Sequence, residues 1–198
     1  MKKMADDSEF FRKGRLSAAS FFASGIELLR VVMISLLIIV PVRYFLIQPF
    51  YVKGASMEPN FFDNEYLVVD EISYRFSEPQ RGDIVVLKYP RDIRQYFIKR
   101  IIGLPGERVR VADGFVYING LQLGESAYLD KSVLTHKEDI WVLKDDEYFV
   151  LGDNRIASLD SRDFGPIRRS HIVGKTWIRG WPLHKLTVFE TPEYSNQF

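Results

Sequence analysis

Residues 83–102 read DIVVLKYPRDIRQYFIKRII. Two runs rich in β-branched and aromatic residues, Asp83–Tyr89 and Tyr96–Ile102, lie on either side of a break that opens at Pro90. The same grammar extends outward in both directions. Tyr66–Asp70 (YLVVD) precedes the pair and Arg108–Ala112 follows it. GFVYINGLQL, residues 114–123, carries Asn119-Gly120, the strongest hairpin signal in the chain. Trp141–Lys144, Tyr148–Leu151, Ile172–Trp181 and Leu186–Glu190 continue the series. Strands this short and this frequent predict an all-β domain, a sandwich or a partly closed barrel.

Composition agrees with one main domain. At 198 residues the chain falls within the usual size of a single folding unit. Hydrophobic residues make up 46% and charged ones 27%, which excludes a disordered or collagen-like chain. The net charge of +1 argues against a strongly basic nucleic-acid protein. With no Cys, the chain has no disulfide, no thiolate metal site and no cysteine nucleophile. Its three histidines, His136, His171 and His184, match no metal-ligand spacing, so neither metal nor cofactor is expected.

The first fifty residues are different material. Residues 1–27 read as a polar tail of mixed charge. Val31–Val42 then carries no charge over twelve residues, roughly 18 Å of helix against a hydrocarbon core of ~30 Å. Adding Leu28, Leu29 and Tyr44–Ile47 extends the stretch to spanning length, with Arg30 and Arg43 snorkelling to opposite interfaces. A cleaved signal peptide is disfavoured, because no small-x-small site follows the apolar run. A buried helix of a soluble domain is the alternative to the preferred reading, a membrane anchor over residues 28–48. The basic N-terminal flank then places that end in the cytoplasm and residues 49–198 outside. Because Phe45–Val52 joins the anchor to the next polar motif without a polar linker, the outer domain is expected to lean on the lipid. Trp177 and Trp181 are either part of that apolar edge or core.

With His scarce, a hydroxyl nucleophile would need another base. A lysine in apolar surroundings has a depressed pKa and can serve as one. Lys99 sits inside YFIKRII, with Phe97, Lys99 and Ile101 on one face of the strand and Ile98, Arg100 and Ile102 on the other. Taken alone, the segment fits better an edge strand with two snorkelling cations, and Lys88 in VVLKY is a similar case. The serine candidate is Ser56 in Gly54-Ala55-Ser56-Met57-Glu58-Pro59, although most such serines only form turns. A third cluster, residues 151–166 (LGDNRIASLDSRDFGP), is dense in Asp, Ser and Arg. There Asp160 and Arg162 are placed to pair, and Ser158 to donate to a buried amine; a hydrogen-bonded surface loop is the plainer alternative.

Together these boxes resemble bacterial type I signal peptidase, the membrane-bound leader peptidase. SMEP with Ser56, RGDIVVLKYP, YFIKRIIGLPGE with Lys99 and GDNRIASLDSRDFGPI stand in the family's order over roughly residues 28–186, and GKTWIRGWPL resembles its closing strands. The resemblance implies two antiparallel sheets in a partly closed, barrel-like fold behind one N-terminal transmembrane helix. It implies a Ser–Lys hydrolase without cofactor that removes signal peptides from exported preproteins after Ala-x-Ala-type sites, in a cell inner membrane or thylakoid membrane. Ser56 then matches the nucleophile and Lys99 the general base. Ser158 matches the hydroxyl that holds the lysine amine, Asp160 and Arg162 the pair bracing that loop, and Asp153 opens the same box. The Ser56 N–H would serve the oxyanion. Gly54 stands where some relatives supply a second hydroxyl donor, so that role is not carried over. Phe50, Val52, Met57, Phe61, Phe97 and Ile98 fall where the family builds pockets for two small side chains. Only residues 111–147 separate the Lys and Gly-Asp-Asn boxes, room for a short hairpin insertion, and the YVKGASMEP spelling resembles cyanobacterial and thylakoid members. Two other readings compete: a cytoplasmic self-cleaving repressor of the SOS type, which shares the Ser–Lys core, and a membrane-anchored β module that only binds. Preproteins and membrane lipid are the expected partners, nucleic acid is not, and the oligomeric state is open.

Overall fold

The computed structural model describes residues 24–40, 47–192 and 194. The chain divides into two compact units, residues 1–45 and 46–198. In the first, residues 24–40 form helix α1, whose apolar side chains are exposed along its length, Leu37 at 74%. Among the described residues no helix is long and apolar enough to cross a membrane. Residues 41–46 of the expected anchor lie outside the described ones. Its last two positions belong to a strand, because Ile47 and Gln48 pair with Asp70 and Val69.

The second unit is two antiparallel sheets. The larger contains β1 (Ile47–Tyr51), β2 (Tyr66–Asp70), β3 (Ile84–Tyr89), β4 (Asp92–Gly103), β9 (Glu147–Leu151), β10 (Ile167–Arg168), β11 (Ile172–Trp181) and β12 (Thr187–Val188). Its order is β1-β2-β11-β3-β4-β9-β10, with β12 on β11. The smaller runs β7 (Leu121–Gln122), β6 (Phe115–Ile118), β5 (Arg108–Ala112), β8 (Asp139–Val142). Short helices α2 (Ser73–Phe76) and α3 (Ser161–Phe164) and two 3₁₀ turns, Arg169–His171 and Leu183–Lys185, complete the described part. The barrel-like expectation is corrected here. Among the described residues both sheets are open: the end strands β1 and β10 of the larger pair only with β2 and β9, and the end strands β7 and β8 of the smaller only with β6 and β5.

The smaller sheet occupies the region where the sequence predicts a short hairpin over residues 111–147, but it has four strands and begins at Arg108. Asn119 and Gly120 both have positive φ, 52° and 91°, as a two-residue turn between right-twisted strands requires. The sheet's inner face, with Val109, Val111, Val116 and Ile118, packs against Ile102, Phe149 and Leu151 of the larger one. The adjacent residues Ile101, Tyr148 and Val150 point the other way, onto Val85, Leu87, Ile167 and Ile172. The end of β4 is therefore buried on both faces, which is why its sequence is a continuous apolar run broken only by Lys99 and Arg100. A third cluster, Val52, Met57, Phe61, Leu67 and Ile84, supports the loop between β1 and β2.

Candidate active site

Strand β4 carries Lys99 opposite Val85 of β3, at the point where its next residue, Arg100, begins to pair with Leu151 of β9. Lys99 is 3% exposed. Its Nζ donates to the Ile98 carbonyl at 2.8 Å and lies 2.8 Å from Ser56 Oγ. Burial disfavours the ammonium and lowers the pKa to about 8; Asp160 and Asp153 oppose that shift, and Arg162 adds to it. A hydroxyl in contact with an amine so poised can hand it a proton at slightly alkaline pH.

Ser56 is held by its loop. Asn154 donates from its backbone N–H to the Ser56 carbonyl and from its side chain to the Ala55 carbonyl, both at 3.1 Å. The Gly54 N–H donates to Asp63 at 2.7 Å. At Gly152 a Cβ would collide with the Ser56 carbonyl oxygen and with Ser158. A side chain can rotate away; a backbone carbonyl on the serine's own loop cannot without moving the serine. Gly152→Ala is therefore expected to lower kcat about 10²-fold, by displacement of the hydroxyl. Chemical unfolding and cleavage kinetics on the same preparation check this, and wild-type turnover in the folded variant would refute it.

The third sequence cluster surrounds this pair. Asp160 caps α3, and its carboxylate takes two bonds from Arg162, each 2.8 Å, plus the Gly152 N–H at 3.1 Å. Asp153 is bound by both Nε and Nη2 of Arg100, at 2.8 and 2.7 Å. Ser158 departs from expectation. Its hydroxyl is buried without a hydrogen-bond partner, and the contacts of the Lys99 amine are with Ser56 and the Ile98 carbonyl.

A cavity of about 100 Å³ opens beside Ser56 and Lys99, lined by Phe50, Val52, Phe97, Ile98, Tyr96 and Val86 among others. Met57 and Phe61 do not line it. They are 1% and 0% exposed and sit in the cluster beneath the loop, where the Phe61 ring lies tilted against that of Phe189. Larger hollows of about 500 and 380 Å³ lie elsewhere and contain neither Ser56 nor Lys99, so volume alone does not mark the site. Among the described residues no cluster of three or more His, Cys, Asp or Glu side chains is placed to hold a metal ion.

Arg100 is a support residue not expected from the sequence: it lies on the face opposite Lys99, as alternation predicts, and acts through Asp153. Its signal was present, since an arginine inside an apolar strand requires a buried acid. Arg155 is a second. It is 3% exposed, donates to the Gly152 carbonyl at 3.1 Å and pairs with Glu125 of the insertion.

The family model described as "Signal peptidase, peptidase S26" matches residues 25–181. "Probable signal peptidase I-2" of Synechocystis sp. is 37% identical over 166 residues, covering 81% of this chain and 75% of the relative. "Signal peptidase I" of Leptolyngbya laminosa is 36% identical over 173 residues, 84% of each. "Signal peptidase I V" of Bacillus subtilis (strain 168) is 40% identical over 153 residues, 71% of this chain and 90% of that one. The chain belongs to the signal peptidase family, peptidase S26, as a hydrolase that removes signal peptides.

Proposed function

We propose that Ser56 and Lys99 are the catalytic dyad of a membrane-anchored endopeptidase that cuts preproteins after small-x-small sites. The observation that carries this reading is the 2.8 Å contact between Ser56 Oγ and an amine that is 3% exposed.

The preprotein adds as an extended strand. Residues 92–99 of β4 pair with β3 alone, β9 taking over only from Arg100, so an unpaired strand edge runs beside the cavity. Alternate substrate side chains enter the 100 Å³ cavity, whose walls are largely aromatic and β-branched. Ser56 Oγ attacks the scissile carbonyl while neutral Lys99 takes its proton. The Ser56 N–H has no acceptor of its own among the described residues and is free to hold the oxyanion. The Lys99 ammonium, favoured by the field of Asp160 and Asp153, protonates the leaving amine. Water then hydrolyses the acyl-enzyme with Lys99 as base again. Asp160–Arg162 and Asp153–Arg100 hold the loop that cradles the pair.

The test is to incubate the purified protein with an Ala-x-Ala preprotein and sequence the new N-terminus. Cleavage directly after the second Ala is expected. Cleavage unaffected when both small residues become Phe would overturn the specificity. Activity should rise with pH through about 8, because only the neutral amine is a base. At pH 7 about one tenth of Lys99 is then competent. A pH–kcat/KM profile already flat from pH 6 to 9 would contradict this.

Anchoring rests on the uncharged run Val31–Val42 and on the exposed apolar face of α1. The N-terminal tail lies on the cytoplasmic side and the catalytic unit on the other. Trp177 and Trp181 are 46% and 53% exposed and share the surface with Leu183 and Leu186, which favours lipid contact over core. Phospholipid vesicles should therefore speed cleavage of a soluble peptide. Equal rates with and without vesicles would leave the anchor as a tether.

A further inference from the structure

Four residues after Ser56, Asn60 stands where three parts of the fold meet. Its Nδ2 donates to Asp153 Oδ2 at 2.8 Å and to the Tyr128 carbonyl at 2.8 Å. Its own carbonyl accepts from Arg179, which pairs with the 2% exposed Glu65 through Nε at 2.9 Å. Asp153 is at the same time clamped by Arg100, and Arg100 is the neighbour of Lys99 on β4. Ser56 and Lys99 come from elements 43 residues apart in sequence. The side-chain path Asn60–Asp153–Arg100 joins those two elements. The Tyr128 contact adds the insertion, and the ring of Tyr128 also covers the Arg100 guanidinium at 3.9 Å.

We propose that Asn60 is a positioning residue, which sets the reach from Ser56 Oγ to Lys99 Nζ by tying the serine's loop to the Asp153–Arg100 pair. The proposal rests on the Ser–Lys reading. The chemistry requires an amide at this position. Both acceptors, a carboxylate oxygen and a backbone carbonyl, demand a donor, and the Asn NH2 group offers two protons on one atom. An aspartate of the same shape offers none and sets a second carboxylate against Asp153. A threonine offers one proton and serves one acceptor.

The test measures kcat and KM on an Ala-x-Ala peptide for Asn60→Ala, Asn60→Asp and Asn60→Thr in the full chain, with chemical unfolding of each and Ser56→Ala as control. Rates are normalised to the acyl-enzyme burst, so that a misfolded fraction does not count. Misplacing a reacting group by about 1 Å costs up to about 10²-fold. Asn60→Ala should lose kcat on that order with KM within about twofold, the pocket being untouched, and Asn60→Thr should recover part of the loss. Asn60→Asp should lose at least as much as Asn60→Ala. It should also move the acid limb of the pH profile upward, because a further carboxylate joins Asp153 and Asp160 in favouring the Lys99 ammonium against Arg162 and the burial. A purely structural loss would leave that limb in place.

Should Asn60→Ala fail to fold, Asn60→Asp and Asn60→Thr still decide. Wild-type burst-normalised kcat with an unshifted acid limb in Asn60→Asp overturns the proposal. So does a Thr variant no better than the Asp one. If Ser56→Ala still cleaves, the Ser–Lys reading itself has failed. Ser56→Ala inactive alongside an unimpaired Asn60→Asp isolates the failure to Asn60.

Discussion

Ser56→Ala and Lys99→Ala are each expected to lower kcat at least about 10⁴-fold, the scale on which nucleophile or base removal acts in serine hydrolases. The two losses should not add, because the hydroxyl is inert without the amine 2.8 Å away and the amine has nothing else to deprotonate. Lys99→Arg should fail as completely, since a guanidinium stays charged at any usable pH and cannot accept the Ser56 proton. Changing His136, His171 and His184 together to Ala should leave turnover largely intact, for none of them lines the cavity at Ser56. Single-turnover cleavage of an Ala-x-Ala substrate measures all four. Activity in a folded Lys99→Arg enzyme would remove Lys99 as the base, and loss in the folded triple variant would return a histidine to that role.

The same lysine has a cost that can be read independently of activity. Its pKa is about 8 in the folded chain against 10.5 for the free side chain. Between these values the unfolded chain binds more protons than the folded one, so stability rises with pH across the window from about 8 to 10.5. Below about 8 the buried site must hold an ammonium, and the folded state forgoes about 3 kcal/mol. Lys99→Met removes that titration. The difference in unfolding free energy between wild type and Lys99→Met should then shift by that amount between pH 8 and 10.5 in favour of wild type. A difference that does not change with pH would mean the amine is not desolvated before substrate arrives.

Much of this arrangement was legible because it breaks local rules. A lysine inside an apolar strand, a serine between small residues and a proline, and a loop crowded with Asp and Arg each stand out against their surroundings. Strand β11 could be read at its observed bounds, Ile172–Trp181, from alternation and flanking turns. β1 was hidden, because IQPFY continues the apolar character of the helix before it, and its strand state comes from pairing with β2, a long-range contact. β10, two residues long, is below the length at which periodicity has meaning. The pocket was half legible. Phe50, Val52, Phe97 and Ile98 line it, whereas Met57 and Phe61 turn beneath the loop. Apolar character near a serine tells nothing of which side of the chain a side chain takes. At Ser158 the closeness to the site could be read, but not that its hydroxyl is left without a partner while Lys99 donates to the Ile98 carbonyl. Arg100 escaped because the period-two rule assumes one wet face, and the end of β4 has none.

That burial makes the Arg100–Asp153 pair the place where stability and activity should fail together. The side chains are 3% and 0% exposed, bound through two bonds of 2.8 and 2.7 Å, with the Gly82 carbonyl and the Tyr128 ring completing the arginine's surroundings. Asp153→Ala strands a guanidinium that cannot discharge by losing its proton. Leaving such a charge unpaired costs about 3–5 kcal/mol, a large share of the 5–15 kcal/mol typical of a domain. Replacing both partners by apolar residues, Arg100→Met with Asp153→Leu, should cost much less than either single change, since no charge is left stranded. Activity should not follow stability in this double variant. With no carboxylate to hold Asn60 and no clamp between β4 and the 152–154 loop, Ser56 and Lys99 lose their common frame, and kcat should stay low in a chain that folds. Urea unfolding and burst-normalised kinetics on the three variants separate the two effects. An Asp153→Ala protein within about 1 kcal/mol of wild type would show that Arg100 finds water or another acid, in which case the pair does not organise the site.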